Sequence, residues 1–118
     1  MRLINKTKNL PIAENVEVAD NFFKKIKGLM FSKKFRRPLL ITFSRETRKT
    51  NAIHSIFVFF QFDAVFLDSK KVVVDIKRVK PFTFLIIPKK PAKYVIELNR
   101  GEARKKKIEI DDRVAFAR

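Results

Sequence analysis

The chain has 118 residues, enough for one domain that buries its own core without covalent staples. It contains no cysteine, which excludes disulfides, thiolate metal sites and a cysteine nucleophile, and fits a reducing cytosol. Its 28 lysines and arginines against 12 acidic residues give a formal net charge of +16, a field that attracts polyanions without specifying one.

In chain order, residues 1–8 are polar and basic, and no apolar run of the signal-peptide kind follows them. Residues 11–18 alternate at Val16 and Val18, as a short first strand would. Asp20 is suited to cap a helix over 21–27, with Phe22, Ile26 and Leu29 or Met30 on one face and Lys24, Lys25 and Lys27 on the other. Gly28 can end that helix in the left-handed conformation. Residues 39–43 predict a strand and residues 44–51 an exposed polar loop.

The segment 51–68 is the centre of the chain. It holds five of the thirteen phenylalanines and the only histidine, and between Ile56 and Leu67 only Gln61 and Asp63 are polar. A run of that kind predicts a strand buried on both faces, with Phe57, Phe60, Phe66 and Leu67 in the core. Asp63 also interrupts it, and it is too short to cross a bilayer, so the expectation is a soluble, cytoplasmic protein with no membrane partner.

Ser69-Lys70 predicts a hairpin turn into a half-buried strand, with Val72, Val74 and Ile76 facing inward and Asp75 and Lys77 outward. Prolines flank a candidate edge strand at 82–87. Residues 93–98 place Tyr94, Ile96 and Leu98 on one face. Gly101 breaks the chain before one or two helical turns at 102–107, and a last strand at 113–116 follows the turn Asp111-Asp112. The fold predicted is mainly β (α+β): a small antiparallel β-barrel or sandwich with two short helices, one domain over 1–118.

Four segments together resemble one family. Ala19-Asp20-Asn21-Phe22 with Lys27-Gly28-Leu29-Met30 is similar to the A-D-x-F and G-L-M opening of the Domain of Unknown Function 192 family. His54-Ser55-Ile56-Phe57-Val58, with Asp63-Ala64-Val65-Phe66-Leu67-Asp68, resembles its H-T-x-F-M and D-V-V-F-L-D centre. Residues 91–98 resemble its A-R-Y-V-L-E-L, and 110–114 its closing I-x-x-G-D-x-V. Gln61 stands where that pattern has proline, Asn99-Arg100 where it has Pro-Ala, and Asp111 where it has glycine. The resemblance implies a compact β-rich domain of archaea and bacteria, and it implies no activity, substrate or catalytic residue.

The residues offer two candidate sites. His54 and Asp63, with Asp68 and Met30, could line a pocket, since a histidine titrates near neutral pH and a carboxylate can orient it. The plainer reading is that His54 caps the buried run while Asp63 ties a turn to backbone N–H groups. Along an unbroken strand the nine-residue separation would put the two on opposite faces. The second candidate is a polyanion surface: Lys33, Lys34, Arg36 and Arg37, and Arg104, Lys105, Lys106 and Lys107. No metal ligand spacing, glycine-rich phosphate loop or serine nucleophile motif is present, and no cofactor is expected. Three functions remain open. The first is a non-enzymatic binding or accessory protein with an unidentified partner. The second is a nucleic-acid-binding protein, and the third a small-ligand-binding protein or enzyme with a pocket near His54.

Overall fold

The structure, a computed structural model, describes residues 1–19, 34–47, 60–81 and 86–118. The strands are β1 (Arg2–Asn5), β2 (Leu10–Ala13), β3 (Glu17–Ala19), β4 (Leu39–Thr47), β5 (Phe62–Leu67), β6 (Val73–Val79), β7 (Ala92–Asn99) and β8 (Val114–Ala117). One short helix, α1 (Glu102–Lys105), follows Gly101, whose φ of 84° suits a residue without a Cβ. The helix expected at 21–27, Phe57, and residues 82–85 of the expected edge strand lie outside the described residues.

The strands form two sheets, one in the order β2-β1-β8 and one in the order β3-β4-β7-β5-β6. All described pairings are antiparallel except β3 with β4, and the ladders do not close into a barrel. Alternation along each strand sorts side chains to the two faces of the larger sheet. Leu40, Val65, Leu67, Ile96 and Leu98 point to a layer shared with Leu3, Ile12 and Val114 of the smaller sheet. Leu39, Ile41, Phe62, Ala64, Phe66 and Val95 point the other way, where Phe35, Phe60 and Ile86 pack on them. All six residues of β5 are buried, as a strand covered on both faces requires.

Three expectations need correction. β1 exists although 1–9 carries little pattern. It is held by pairing with β2 and β8 rather than by its own alternation. Backbone pairing with β7 also carries β4 on to Thr47, so 44–47 is strand where a loop was expected. In β6 a register shift opposite Phe66 and Leu67 pairs Asp75 with Phe66 and Val73 with Leu67. The extra residue, Val74, puts Val73 opposite Leu67, so Val73 is fully buried. Asp75, expected outside, is 2% exposed because the face it shares with Phe66 is covered as well.

Asp111, which replaces the glycine of the resembled pattern, has φ of 75°, the left-handed region where glycine carries no penalty. Phe66 is fully buried at the centre of β5. Replacing it with alanine removes a ring that neighbouring side chains cannot replace, so Phe66→Ala should cost about 3–5 kcal/mol in denaturant unfolding.

Candidate functional site

Four acidic residues of this basic chain, Asp63, Asp75, Glu97 and Asp112, are buried. Asp63 is 3% exposed on β5. Its Oδ1 accepts from Arg78 Nε at 3.1 Å, and its Oδ2 accepts from the Ala103 N–H at 3.1 Å, fastening the start of α1 to the sheet. Asp75 accepts from the Ile76 and Lys89 N–H groups, each at 2.9 Å, with Lys77 Nζ at 3.6 Å. Asp112 accepts from Asn5 Nδ2 at 2.7 Å and from the Glu109 N–H at 2.9 Å, with Lys8 Nζ 3.3 Å away. Burial opposes ionisation of Asp112, but those donors and the Lys8 ammonium outweigh it and hold the carboxyl below its usual range. Asp68 closes the turn after β5, its Oδ1 accepting from the N–H groups of Lys70 at 2.9 Å and Val72 at 3.0 Å.

Glu97 breaks this pattern. It sits on β7, between Leu39 of β4 and Ala64 of β5 in register, and is fully buried. Among the described residues neither Oε1 nor Oε2 has a hydrogen-bond partner. Burial alone pushes its carboxyl up to about 8, so near neutral pH it is mostly protonated and uncharged. Two residues on, Asn99 holds the Phe35 backbone from both sides: its Oδ1 accepts from the Phe35 N–H at 2.7 Å and its Nδ2 donates to the Phe35 carbonyl at 3.0 Å. Phe35 in turn meets Phe60 and Phe62 edge-on, with ring centroids 5.0 and 5.4 Å away. Beside this cluster a depression of about 580 Å³ is lined by Lys34, Phe60, Gln61, Asn99, Arg100 and Glu102, among others.

The backbone N–H that Asp63 bonds is that of Ala103, forty residues away. Asp63 and Asp68 serve separate structural tasks, while His54, Met30 and Lys33 lie outside the described residues. Of the basic candidates, Lys34, Arg36, Arg37, Arg104, Lys105 and Lys107 are exposed. Arg37 pairs with Glu17 at 3.6 Å. Lys106 turns inward to the Ile12 carbonyl and lies 3.8 Å from Glu102. Among the described residues no three potential ligands converge as a metal site would need.

Sequence reasoning missed Glu97 and Arg100. Glu97 carried a signal, an acid between Ile96 and Leu98 in a strand whose other face is also apolar at Val95. Arg100 carried none, because only folding brings it to Lys34.

The family model described as Uncharacterized ACR, DUF192, matches residues 3–116. The chain belongs to this family. A UPF0127 protein of Pyrococcus furiosus is 40% identical over 116 residues, covering 98% of this chain and 98% of the relative. Another UPF0127 protein, of Thermococcus sibiricus, is 40% identical over 112 residues, 95% of this chain and 72% of the relative. Two solved structures share the DUF192 chain's fold. A proposed transcription regulator of Sinorhizobium meliloti superposes with a TM-score of 0.79 at 22% identity, over 97% of this chain and 89% of that one. A protein of unknown function from Novosphingobium aromaticivorans gives 0.78 at 18% identity, over 98% and 82%.

Glu97 sets a pH dependence. In the unfolded DUF192 chain it ionises near 4.5, whereas in the folded protein it keeps its proton to about 8. Between those values the folded state holds a proton that the unfolded chain has released, so stability falls as pH rises, by about 1.4 kcal/mol per unit at most. Above about 8 this loss levels off. Glu97→Gln should flatten that limb of the denaturation midpoint plotted against pH, whereas parallel curves for the two proteins would contradict it.

Proposed function

We propose that the protein is a non-catalytic, cytoplasmic binding domain that engages a polyanion, nucleic acid first among them, through its basic surface. The domain spans residues 1–118, and we regard the two sheets that carry the surface as an open sandwich. The observation that supports this reading is the separation of charge. Asp63, Asp75, Glu97 and Asp112 are buried, and three of them are consumed by internal bonds, while most of the described cations stay outside. A surface built for heat resistance through ion-pair networks needs both signs in comparable number. With 28 basic and 12 acidic residues, this chain lacks the acids for it.

Lys34 and Arg100 converge on the depression beside Phe60, so two stretches distant in sequence contribute to one basic area. Arg36, exposed two residues from Lys34, extends it. Such a surface reads backbone charge and not sequence, so its affinity should be governed by counterion release.

Fluorescence anisotropy with a single-stranded and a duplex oligonucleotide tests this. Affinity should fall by about 10³ or more between 50 and 200 mM salt if six or more phosphates are neutralised. The double substitution Arg36→Ala with Arg37→Ala should weaken binding and make the salt slope shallower. Absence of binding at low salt would remove the proposal.

A further inference from the structure

We propose that the groove between β2 and the end of α1 binds a small anionic amphiphile, a single aliphatic chain ended by a carboxylate. The groove is a concavity of about 470 Å³, within the size range of small-molecule sites, and two stretches far apart in sequence line it.

Its floor is apolar. Ile12 and Ala13 line the groove although they are only 1% and 7% exposed, so they lie at its base, with half-buried Leu10 and exposed Pro11 beside them. β2 is an outer strand of the smaller sheet, the kind of edge to which an extended peptide can add. Two features close off that use. Pro11 has no N–H to donate, and the Ile12 carbonyl already accepts from Lys106 Nζ. An apolar recess remains, suited to a hydrocarbon chain and not to a pairing strand. Nor does it suit a bilayer, which takes up apolar side chains presented on an outer face, whereas Ile12 and Ala13 lie at the base of a concavity.

The rim is cationic. After α1 the Lys107 N–H bonds the Arg104 carbonyl and the Ile108 N–H bonds the Ala103 carbonyl, a closure that holds Lys107 in the left-handed region at φ 59°. Glycine is the residue at ease in that position, and a lysine there keeps a third ammonium group beside the groove. Lys106 is held by the Ile12 carbonyl and lies 3.8 Å from Glu102, while Lys105 and Lys107 are exposed. Glu14 shares the lip. With Glu102 set against Lys106 and Glu14 against one of the other two lysines, one positive charge is in excess, which suits a monoanion. Lys34, Arg36 and Arg100, on which the polyanion reading rests, do not line this groove, so the two proposals stand or fall separately.

The full chain, isotopically labelled, is titrated with octanoate below its micelle concentration and followed by amide NMR. Shifts should concentrate at residues 10–14 and 105–107, and octanoate should bind about tenfold or more tightly than the shorter butanoate. The double substitution Lys105→Ala with Lys107→Gly, in which glycine suits the backbone at 107, should bind octanoate about threefold or more weakly. The proposal is overturned if octanoate binds no more tightly than butanoate, which would leave contact with surface charge only. It is equally overturned if octanol binds the parent as well as octanoate does, or if the double variant binds octanoate undiminished. Binding to vesicles of anionic phospholipid, with none of monomeric octanoate, would overturn it in favour of a lipid surface.

Discussion

Strand β7 is hydrogen-bonded along one edge to β4 and along the other to β5, and both of its faces are covered. That double enclosure is the constraint on which the larger sheet depends. Ile96 and Leu98 reach into the layer shared with the smaller sheet, while Val95 and Glu97 reach into the opposite layer. From Val95 to Leu98 the strand has no access to water on either side, so each side chain there must be apolar, fully bonded or uncharged. Glu97 meets the requirement by keeping its proton, where Asp63, Asp75 and Asp112 meet it with donors.

The same enclosure governs the outside of the molecule. Acids that close the fold are unavailable to balance the surface: Asp63 anchors α1, Asp75 holds the Lys89 backbone and Asp112 joins β1 to the turn before β8. The chain therefore carries its internal cross-links and its external field in one charge distribution. Removing Asp63 would weaken the fold and leave the Arg78 guanidinium without that partner. Electrostatics of the surface and stability of the core are coupled through these few residues.

Much of the larger sheet was legible in the sequence, because β5 and β7 are local patterns. The unbroken run at Phe62–Leu67 and the alternation of Tyr94, Ile96 and Leu98 need no partner to be read. β1 was not legible, since Arg2–Asn5 becomes a strand only when β2 and β8 pair with it. The bulge in β6 was hidden for a similar reason: it is defined by register against β5, and the sequence Val72-Val73-Val74 fits either phase. Of the candidate sites, the acid in the apolar strand was visible, but its lack of a partner was not. A partner can come from any distance along the chain, as the Asp63–Ala103 bond shows across forty residues. The convergence of Lys34 and Arg100 was equally beyond a linear reading.

The central claim is that Glu97 remains protonated inside the folded protein because no charged or donor group among the described residues compensates its burial. Its titration can be followed directly by carbon NMR of the side-chain carboxyl in protein labelled at glutamate. One resonance should keep the shift of a protonated acid through neutral pH and titrate with a midpoint near 8, and it should be missing from Glu97→Gln. If all glutamate carboxyls instead titrate close to the ordinary value of 4.5, the carboxyl is solvated or paired, and the account is wrong.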